Sequence, residues 1–438
     1  MASPSSQARR VALASLIGTT IEWFDFFIYG TAAALVFNKL FFPEFDPLMG
    51  TLASFATFAV GFIARPLGGV LFAHFGDRHG RKPVLVLSLL LMGVATVLMG
   101  VLPTYETIGV AAPLLLTLLR FAQGLGVGGE WGGAALMAVE HAPAHRRGFY
   151  GSWPQIGVPA GLLLGNLTFS ALSASVSDAE FLAWGWRVPF LCSAVLIVIG
   201  FFIRLRISES PVFEQAARSE PHSRTPVLDV LREHPRIVAL AAGSFLATNA
   251  TFYVGTTWIV SYATTSLDYE RTSILNANAL LSFVDIPLML AFGLLSDRIG
   301  RRGMSMAGMA GLAVFAVPYF LLVDSGSIML FLMGGIVVQV CRTAVYGPQS
   351  AYFSELFSTR FRYSGASLAY QLAAILGGGL APMICTALYS WTGSSMAIAG
   401  YVVVLCLISL GSSYLLAETY RKGLTEDTAA APLDRTSD

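Results

Sequence analysis

Seven ionisable side chains lie inside long apolar runs of this 438-residue chain, where a charge is costly. They are Glu22, Asp25, Arg65, Arg120, Glu130, Asp285 and Arg342. At the centre of a membrane helix each costs about 2.5–3.5 kcal/mol, so seven would cost roughly 20 kcal/mol if they faced lipid. We therefore expect them to face a cavity or one another. In such a place a carboxyl can take up and release a proton, and a guanidinium can bind an anion.

Two of the acids share a polar stripe on the first apolar run. Gly18, Glu22, Asp25 and Tyr29 recur at the spacing of one helix face. At ~1.5 Å per residue, Glu22 lies roughly 16 Å from one end of its run, and Arg120 roughly 14 Å from the opposite end of the fourth run. Both depths are near the middle of a ~30 Å hydrocarbon core, so an ion pair is expected. Two interpretations stay open: Glu22 or Asp25 carries a proton with the help of Arg120, or these residues form a static structural ion pair.

Arg65 precedes Pro66 near the middle of the second run. A guanidinium is always charged and matches the two oxygens of a carboxylate, which indicates an anchor for a substrate carboxylate. The alternative is an ion pair with an acid such as Asp25 or Asp285. Arg342, in the tenth run, is a second candidate anchor for an anion.

Polar residues of the later runs would complete the wall of the cavity. Asp285 shares a helix face with Asn278 and Ser282, and the seventh run offers a second polar face with Asn249, Tyr253 and Thr256. The alternative for these residues is polar contact between helices, worth about 0.6 kcal/mol each. The candidate substrate-binding residues are Arg65, Tyr29, Gln123, Gln155, Asn249, Tyr253, Asp285 and Arg342.

The elements that must position these residues are membrane helices. Hydrophobic residues make up 55% of the chain and charged residues 12%, about half the ~25% charged residues of a soluble domain. A helix needs about 20 apolar residues to cross a bilayer. The runs of that length are 11–37, 52–74, 83–103, 111–139, 149–172, 187–206, 236–262, 273–294, 303–323, 327–349, 364–388 and 395–417. The expected fold class is an all-α polytopic membrane protein with twelve transmembrane helices.

Charge and spacing argue against other classes. A net charge of +1 gives no reason to expect nucleic acid as a partner. The four cysteines lie inside apolar runs without metal-ligand spacing, so neither a metal site nor a cofactor is predicted. No HExxH or GxSxG motif is present in the sequence, so an enzyme is not expected.

Arginine and lysine residues predict the orientation in the membrane. One side of the twelve runs carries most of them: Arg9, Arg10, Arg78, Arg81, Lys82, Arg146, Arg147, Arg298, Arg301, Arg302, Arg360, Arg362, Arg421 and Lys422. The opposite side carries little beyond Lys39, Arg187 and Arg271. Since cytoplasmic loops hold an excess of basic residues, both termini are expected in the cytoplasm.

A charged island at residues 76–83 returns at 293–302. Asp77 and Asp297 lie 220 positions apart (297 − 77), half of the chain. We expect two similar six-helix bundles with a substrate site between them at mid-depth. The predicted units are the bundles 1–206 and 236–417, the cytoplasmic loop 207–235 and the cytoplasmic tail 418–438.

The charged ends of the runs are interpreted as a gate. A carboxylate can cap a helix N-terminus and accept hydrogen bonds from arginines, which would hold the cytoplasmic face closed. The candidate gating residues are Asp77, Arg78, Arg81, Lys82, Glu140, Arg147, Asp297, Arg298, Arg301, Glu355 and Arg362. The alternative is that these charges only set the topology. Glu130 is interpreted as a further gate or a structural partner.

Further motifs span roughly residues 10 to 420. They are residues 21–26 (IEWFDF), 120–124 (RFAQG) continuing to 128–133 (GGEWGG), 184–190 (WGWRVPF) and 346–365 (YGP to RYSG). With the two charged islands, they resemble the major facilitator superfamily and, within it, the metabolite:proton symporters. That group includes carriers of shikimate, citrate, α-ketoglutarate, and proline or betaine. One departure is Ala73, where the helix 2–3 signature usually begins with Gly.

The resemblance implies a major facilitator fold and secondary active transport. We expect proton-coupled uptake of a small carboxylate or zwitterionic metabolite by alternating access, in the plasma membrane of a bacterial-type cell. The expected partners are the metabolite, protons and the lipid bilayer, and the protein is expected to be a monomer. The alternative is a proton-coupled exporter of a drug or a secreted metabolite. A nutrient sensor on a transporter fold is a third possibility.

Overall fold

The computed structural model describes residues 4–79, 81–128, 136, 138–140, 142–206, 226–358 and 361–420. Within these ranges the side chains of residues 4–15, 73–79, 81, 82, 84, 85, 144, 203–206 and 226–228 are not described. The regular elements of the described ranges are helices, without a strand among them.

The described ranges contain twelve long helices, one for each predicted apolar run. The first six are α1 (Pro4–Ala32, continued by Asn38–Leu40), α2 (Pro47–His79), α3 (Arg81–Val101), α4 (Ala111–Gly128), α5 (Arg147–Ser175) and α6 (Val188–Arg206). The second six are α7 (Pro235–Tyr253, continued by Ile259–Ser266), α8 (Arg271–Ile299), α9 (Arg301–Val323), α10 (Ile328–Tyr346, followed by Gln349–Leu356), α11 (Arg362–Ala373, continued by Ala381–Thr392) and α12 (Met396–Leu415). In the described ranges, eleven helices are long and apolar enough to cross a membrane, and α3 contains a shorter apolar helix, Val86–Val101. The predicted fold class is confirmed.

Some helices are longer than their apolar runs. The second run was expected to begin at residue 52, but α2 begins at Pro47. The backbone N–H groups of Leu48 and Met49 donate to Asp46 Oδ1 at 3.0 and 3.1 Å. This carboxylate therefore stabilises an additional polar turn that hydropathy alone does not reveal. The predicted loop 207–235 likewise ends in a short helix, Pro226–Glu233.

In the part of the chain that the structure describes, three of the long helices contain a π-helical turn. The turns are Ala33–Phe37 in α1, Val254–Trp258 in α7 and Ala374–Gly379 in α11. The first two begin 221 positions apart (254 − 33), so they lie at equivalent places in the two six-helix sets. The third includes three consecutive glycines, Gly377, Gly378 and Gly379. Such turns are rare and occur often at functional sites.

Glycines allow α2 and α4 to cross at very short range. A methyl group added at Gly124 would lie 2.2 Å from the carbonyl oxygen of Gly61. One added at Gly128 would lie 1.9 Å from the carbonyl oxygen of Arg65. Larger side chains would separate the helices, so this crossing places Arg65 of α2 beside Arg120 of α4.

The two six-helix sets meet along α5 and α8. At one end a methyl group added at Gly293 of α8 would lie 2.8 Å from the carbonyl oxygen of Gly148 of α5. We call this the basic end, because the arginine-rich loops lie there. At the other end, called the far end, the Ser170 hydroxyl of α5 donates to the Asn276 side chain of α8 at 2.6 Å. The two sets are therefore in contact at both ends of this helix pair.

Buried aromatic rings fill the space between the sets at mid-depth. The ring centroids of Phe26 and Phe62 are 5.0 Å apart, and those of Phe62 and Tyr253 are 5.1 Å apart. The rings of Phe27 and Phe252 are 5.5 Å apart. Rings of α1 and α2 thus pack directly on α7, around the arginine of α2.

Candidate substrate and proton site

Arg65 and Arg120 lie against one ring, that of Phe26 in α1. The guanidinium carbon of Arg65 is 4.1 Å from the ring centroid, and that of Arg120 is 3.9 Å from it. Trp23 and Phe62 also contact the Arg65 guanidinium, at 5.0 and 4.6 Å. Both arginine side chains are buried, with exposures of 1% and 0%. Contact with aromatic faces partly replaces the water that each charge has lost.

Each of these guanidinium groups keeps one edge without a partner. Among the described residues, Nε and Nη2 of Arg65 have no hydrogen-bond partner, and the same two atoms of Arg120 have none. These nitrogens form the edge on which a guanidinium binds both oxygens of a carboxylate. A buried donor left unpaired costs about 1–3 kcal/mol, so the pair of arginines favours binding of an anion.

Arg120 is connected to α1 through an amide rather than through the expected ion pair. Its Nη1 donates to Oε1 of Gln123, one turn further along α4. Nε2 of Gln123 then donates to the backbone oxygen of Asp25 at 3.0 Å and to the hydroxyl of Thr96 at 2.8 Å. The prediction of a direct pairing between Arg120 and an acid of α1 is therefore not what this structure shows.

The Asp25 carboxyl is fully buried on the side of α1 that faces α3 and α6. Its Oδ1 accepts a hydrogen bond from the hydroxyl of Ser193 in α6, and Thr96 of α3 also interacts with the carboxyl. Oδ2 has no hydrogen-bond partner among the described residues. One oxygen is thus fixed in position while the other remains able to hold a proton.

Glu22 and Tyr29 occupy the rest of the polar stripe. Glu22 is buried and lies within electrostatic reach of Tyr370 in α11, which belongs to the second six-helix set. The Tyr29 hydroxyl donates to Thr57 of α2 at 2.7 Å, and the Tyr29 ring lies 4.2 Å from the guanidinium carbon of Arg120. The two acids of the stripe therefore have different neighbours, in different parts of the molecule.

The second set of helices places an acid where the first has Arg65. Asp285 of α8 follows Arg65 by 220 positions (285 − 65), the same offset that separates the two charged islands. Arg342 of α10 follows Arg120 by 222 positions (342 − 120). The pair of arginines in the first set therefore corresponds to an acid and an arginine in the second.

Asp285 and Arg342 form a buried ion pair. Nη2 of Arg342 donates to Oδ2 of Asp285, and Thr343 donates to Oδ1. Nε of Arg342 donates to Gln339 at 2.8 Å. The carboxylate-binding edge of Arg342 is therefore occupied, in contrast to that of Arg65. The alternative partners considered for Arg65 have other contacts, since Asp285 binds Arg342 and Asp25 binds Ser193.

Among the polar residues of α7, Tyr253 lies near the buried arginines. It is within electrostatic reach of Arg65, and its ring packs on Phe62. Asn249 and Thr256 instead donate to backbone carbonyls of α7 itself, at 3.4 and 2.7 Å. Tyr253 therefore belongs to the candidate site, whereas the side chains of Asn249 and Thr256 bond to their own helix.

Gln155 contacts the second set of helices, and the structure also draws attention to residues that the sequence did not single out. Tyr346 donates to Oε1 of Gln155 at 3.3 Å, across the two sets of helices. Phe26 and Ser193 resemble ordinary core residues in the sequence, so nothing in the sequence predicted their contacts with charged groups. For Asn166 the sequence did contain a signal, because Asn166 follows Gln155 by 11 positions on the same face of α5. It is fully buried, and neither atom of its amide has a hydrogen-bond partner in the described ranges.

At the basic end, Asp297 of α8 caps the start of α5. Its Oδ1 accepts from the backbone N–H of Gly148 at 2.8 Å, and its Oδ2 accepts from that of Phe149 at 3.0 Å. Nη2 of Arg301 lies 2.8 Å from Oδ1 of the same carboxylate. A negative charge at a helix N-terminus is favourable, so this cap holds the two sets of helices together.

Further candidate gating residues surround this cap. Glu355 lies 3.4 Å from Arg301 and accepts a hydrogen bond from Thr419 at 2.7 Å. Arg147 lies within electrostatic reach of Glu355 and Asp297. The remaining candidates are Arg362, which pairs with Glu140 at 3.4 Å, and Arg298, which is exposed. The side chains of Asp77, Arg78, Arg81 and Lys82, and all of Glu130, lie outside the described part of the chain.

Comparison with known proteins gives a consistent set of matches. A family model described as the Major Facilitator Superfamily matches residues 15–370. An inner membrane metabolite transport protein of Escherichia coli (strain K12) is 44% identical over 433 residues, covering 96% of this chain and 97% of that protein. The shikimate transporter of the same organism is 42% identical over 424 residues, covering 95% and 96%.

A third relative and the solved structures extend this set. The proline/betaine transporter of Escherichia coli (strain K12) is 34% identical over 437 residues, covering 97% of this chain and 86% of that protein. The xylose transporter XylE from E. coli, in a partially occluded inward open conformation, matches with a TM-score of 0.73 and 17% identity, covering 95% of this chain and 100% of that one. At that identity the structural match concerns the fold alone.

Proposed function

This chain belongs to the Major Facilitator Superfamily, and from that premise we propose that it takes up a small carboxylate or zwitterionic metabolite together with protons. Its relatives and its fold are those of membrane transporters of metabolites and not of enzymes. The proposed mechanism is alternating access, in which the two six-helix sets rock around a site at mid-depth. The proposed location is a plasma membrane, with the basic end and both termini in the cytoplasm.

The observation that carries the proposal is the pair of unpartnered guanidinium edges on Arg65 and Arg120. The equivalent positions of the second set hold Asp285 and Arg342, in which the arginine already binds a carboxylate. A substrate carboxylate would supply to the first set what Asp285 supplies to the second. The substrates named for two relatives, shikimate and proline or betaine, all carry a carboxylate group.

The surroundings of the arginines support a substrate with an apolar or ring-shaped body. Trp23, Phe26 and Phe62 lie against the guanidinium of Arg65, and Tyr253 reaches the same place from α7. A carboxylate bound by an arginine among such rings would leave the rest of the molecule in contact with aromatic faces. Aromatic rings also accept the positive end of a zwitterion through cation–π contact.

Asp25 is the residue we propose for proton transfer. It is buried, and polar contacts run from Arg120 through Gln123 and Thr96 to its carboxyl. Its unpartnered Oδ2 provides a place for the proton. Glu22 is the second candidate and lies near Tyr370 of the other six-helix set. Burial of an ionised carboxylate is costly, so loading with a proton lowers the cost of the closed state through which the site passes between its two openings.

The test uses the purified protein in liposomes with an imposed gradient, acid outside. The solute panel contains shikimate, proline, betaine, citrate and a neutral sugar. We expect accumulation of one class of carboxylate that collapses when a protonophore removes the gradient. The Asp25→Asn variant should lose accumulation but retain exchange of labelled solute, because exchange requires no net proton movement.

Matched variants make the assay decisive. Glu44 is an exposed acid of the α1–α2 loop, so Glu44→Gln should behave as the parent protein and serves as the control for Glu22→Gln. Accumulation retained by both Asp25→Asn and Glu22→Gln would overturn the proton role. Transport of the sugar alone would overturn the proposal that the substrate is a carboxylate. Solute efflux driven by inward proton flow would support the alternative function, a proton-coupled exporter.

A further inference from the structure

Arg271, the first residue of α8, joins the two sets of helices at the far end. Its Nη2 lies 2.8 Å from Oδ1 of Asp178, and its Nε donates to the hydroxyl of Ser173 at 2.9 Å. Both partners belong to the first set, because Ser173 lies in the last turn of α5 and Asp178 begins the short helix Asp178–Ala183. One side chain of the second set therefore contacts two elements of the first.

A third contact is made with an aromatic ring. The guanidinium carbon of Arg271 lies 3.9 Å from the ring centroid of Phe181, which is fully buried. By contrast, the Asp178 side chain is 86% exposed. An exposed ion pair contributes little, so the ring and the Ser173 hydroxyl hold the arginine more firmly than the carboxylate does.

The short helix that carries these partners is itself firmly capped. Ser177 and Glu180 form a capping box, in which each side chain accepts from the backbone N–H of the other. Hydrogen bonds from Ser177 hold the pKa of Glu180 below its ordinary value. The cap is therefore present above that lowered pKa and is lost only when the pH falls through it, so a mildly acidic exterior leaves the helix in place.

The same pair of helices is closed at both ends by contacts of different strength. At the basic end, Asp297 caps the start of α5 with two hydrogen bonds and an arginine. At the far end, Arg271 and the bond from Ser170 to Asn276 close the other end of α5 against α8. Opening the far end requires the removal of Arg271 from the first set, because no movement of α8 away from α5 leaves its contacts intact.

We propose that Arg271 is the latch of the external gate, and that it binds Ser173, Asp178 and Phe181 whenever the site is closed to the outside. This rests on alternating access between the two sets, as proposed above. The latch makes one exposed ion pair, one hydroxyl contact and one ring contact, a set small enough to be broken in each cycle. It positions the helices and does not contact the substrate.

The test measures whether the outside reaches a reporter behind the latch. The four native cysteines are first replaced, and Asn278, which is buried two turns further along α8 on the face of Arg271, is changed to Cys. A membrane-impermeant maleimide is added to intact cells, and the labelling rate is measured. Arg271→Ala should raise that rate about tenfold, which corresponds to ~1.4 kcal/mol of shift toward the outward-open state.

Two further variants separate a latch from a general structural role. Arg271→Lys keeps the charge and should give an intermediate rate, since it loses the fork that reaches two oxygens. Asp178→Asn removes only the exposed partner and should change the rate less than twofold. Equal labelling of the Arg271→Ala and parent proteins would overturn the proposal. So would a rate that also rises from the cytoplasmic side in inside-out vesicles, because that would indicate loss of packing.

The readout needs neither a substrate nor a proton gradient. A liposome assay that finds no proton coupling would therefore not contradict the proposed role of Arg271. Likewise, an unchanged labelling rate would not contradict the proposal that the substrate is a carboxylate. Uptake assays on the same variants add one more measure. We expect Arg271→Ala to slow both solute exchange and net accumulation, because a bias toward the outward-open state slows the closing step that both processes need.

Discussion

Asp297 accepts a hydrogen bond of 2.8 Å from the backbone N–H of Gly148, so a carboxylate of the second set of helices closes the first turn of a helix in the first. The neighbouring N–H of Phe149 donates to the other oxygen at 3.0 Å. Both donors belong to the unpaired amides at a helix start, where a negative charge is most favourable. The contact thus depends on charge and position, and a small displacement of α8 removes it.

The Asp297→Asn variant should weaken the closed state at the basic end. An amide keeps the shape of the carboxylate but loses its charge and one acceptor, which costs about 1–2 kcal/mol in a partly buried cap. We expect faster labelling of a Cys placed at Ser350, a buried residue of α10 near Gly151 of α5. The measurement is made from the cytoplasmic side in inside-out vesicles. An unchanged rate, with normal transport, would show that Asp297 does not hold this end closed.

Gly293→Ala should also open the basic end, by a steric route. The added methyl would lie 2.8 Å from the Gly148 carbonyl oxygen and 2.9 Å from the Ser152 hydroxyl, so α8 and α5 must separate. Gly303 is the matched control, because a methyl there meets nothing within 4 Å. We expect faster labelling of the Ser350→Cys reporter and slower uptake for Gly293→Ala alone. Equal behaviour of the two alanine variants would contradict the close crossing.

Arg65→Lys and Arg120→Lys should each weaken binding of the transported carboxylate. Lysine keeps the charge but has no edge with two parallel donors, so a loss of about 1.5–3 kcal/mol is expected, or roughly tenfold to a hundredfold in affinity. The measurement is the half-saturation concentration for solute exchange. Arg232→Lys, at an exposed position of the Pro226–Glu233 helix, serves as the control. If exchange by both variants saturates as in the parent protein, the substrate does not use these arginines.

The ion pair of Asp285 and Arg342 should behave as a unit in stability measurements. Removing one member leaves a buried charge unpaired, which typically costs 3–5 kcal/mol, about what Asp285→Asn or Arg342→Gln should each show. The double variant should cost less than the sum, because neither charge remains. Thermal unfolding of the purified proteins in detergent gives the comparison. Strictly additive effects would mean that the two residues do not depend on each other.

The number and order of the helices were predictable, because a segment that crosses the bilayer must be long and apolar and must satisfy its own backbone hydrogen bonds as a helix. The 220-residue repeat of the charged island also identified Asp297 as a capping residue, and the structure places it at the start of α5. Depth along a helix was predictable too, since rise per residue is constant. Glu22 and Arg120 are both deep inside the bundle, as their distances from the helix ends indicate.

The partners of the deep charges were not predictable from spacing. Periodicity shows which face a residue occupies, but Asp25 and Phe26 are adjacent and both lie within reach of α4. The Asp25 carboxyl accepts a hydrogen bond from Ser193. The Arg120 guanidinium instead contacts the Phe26 ring and donates to the Gln123 amide. These choices depend on how α3, α4 and α6 pack around α1, which no single segment encodes.

The matching π-helical turns of α1 and α7, Ala33–Phe37 and Val254–Trp258, give these two helices a shared mechanical property. A π turn holds more residues than an α turn of the same height, so each helix contains extra backbone near its far end. Return of such a turn to α-helical hydrogen bonding would rotate the segment beyond it by about 100°, the angle of one residue. In α7 that segment is Ile259–Ser266, and in α1 it is Asn38–Leu40. We expect such a rotation to turn the far ends of α1 and α7, while their buried middles, which carry Phe26 and Tyr253, keep their contacts.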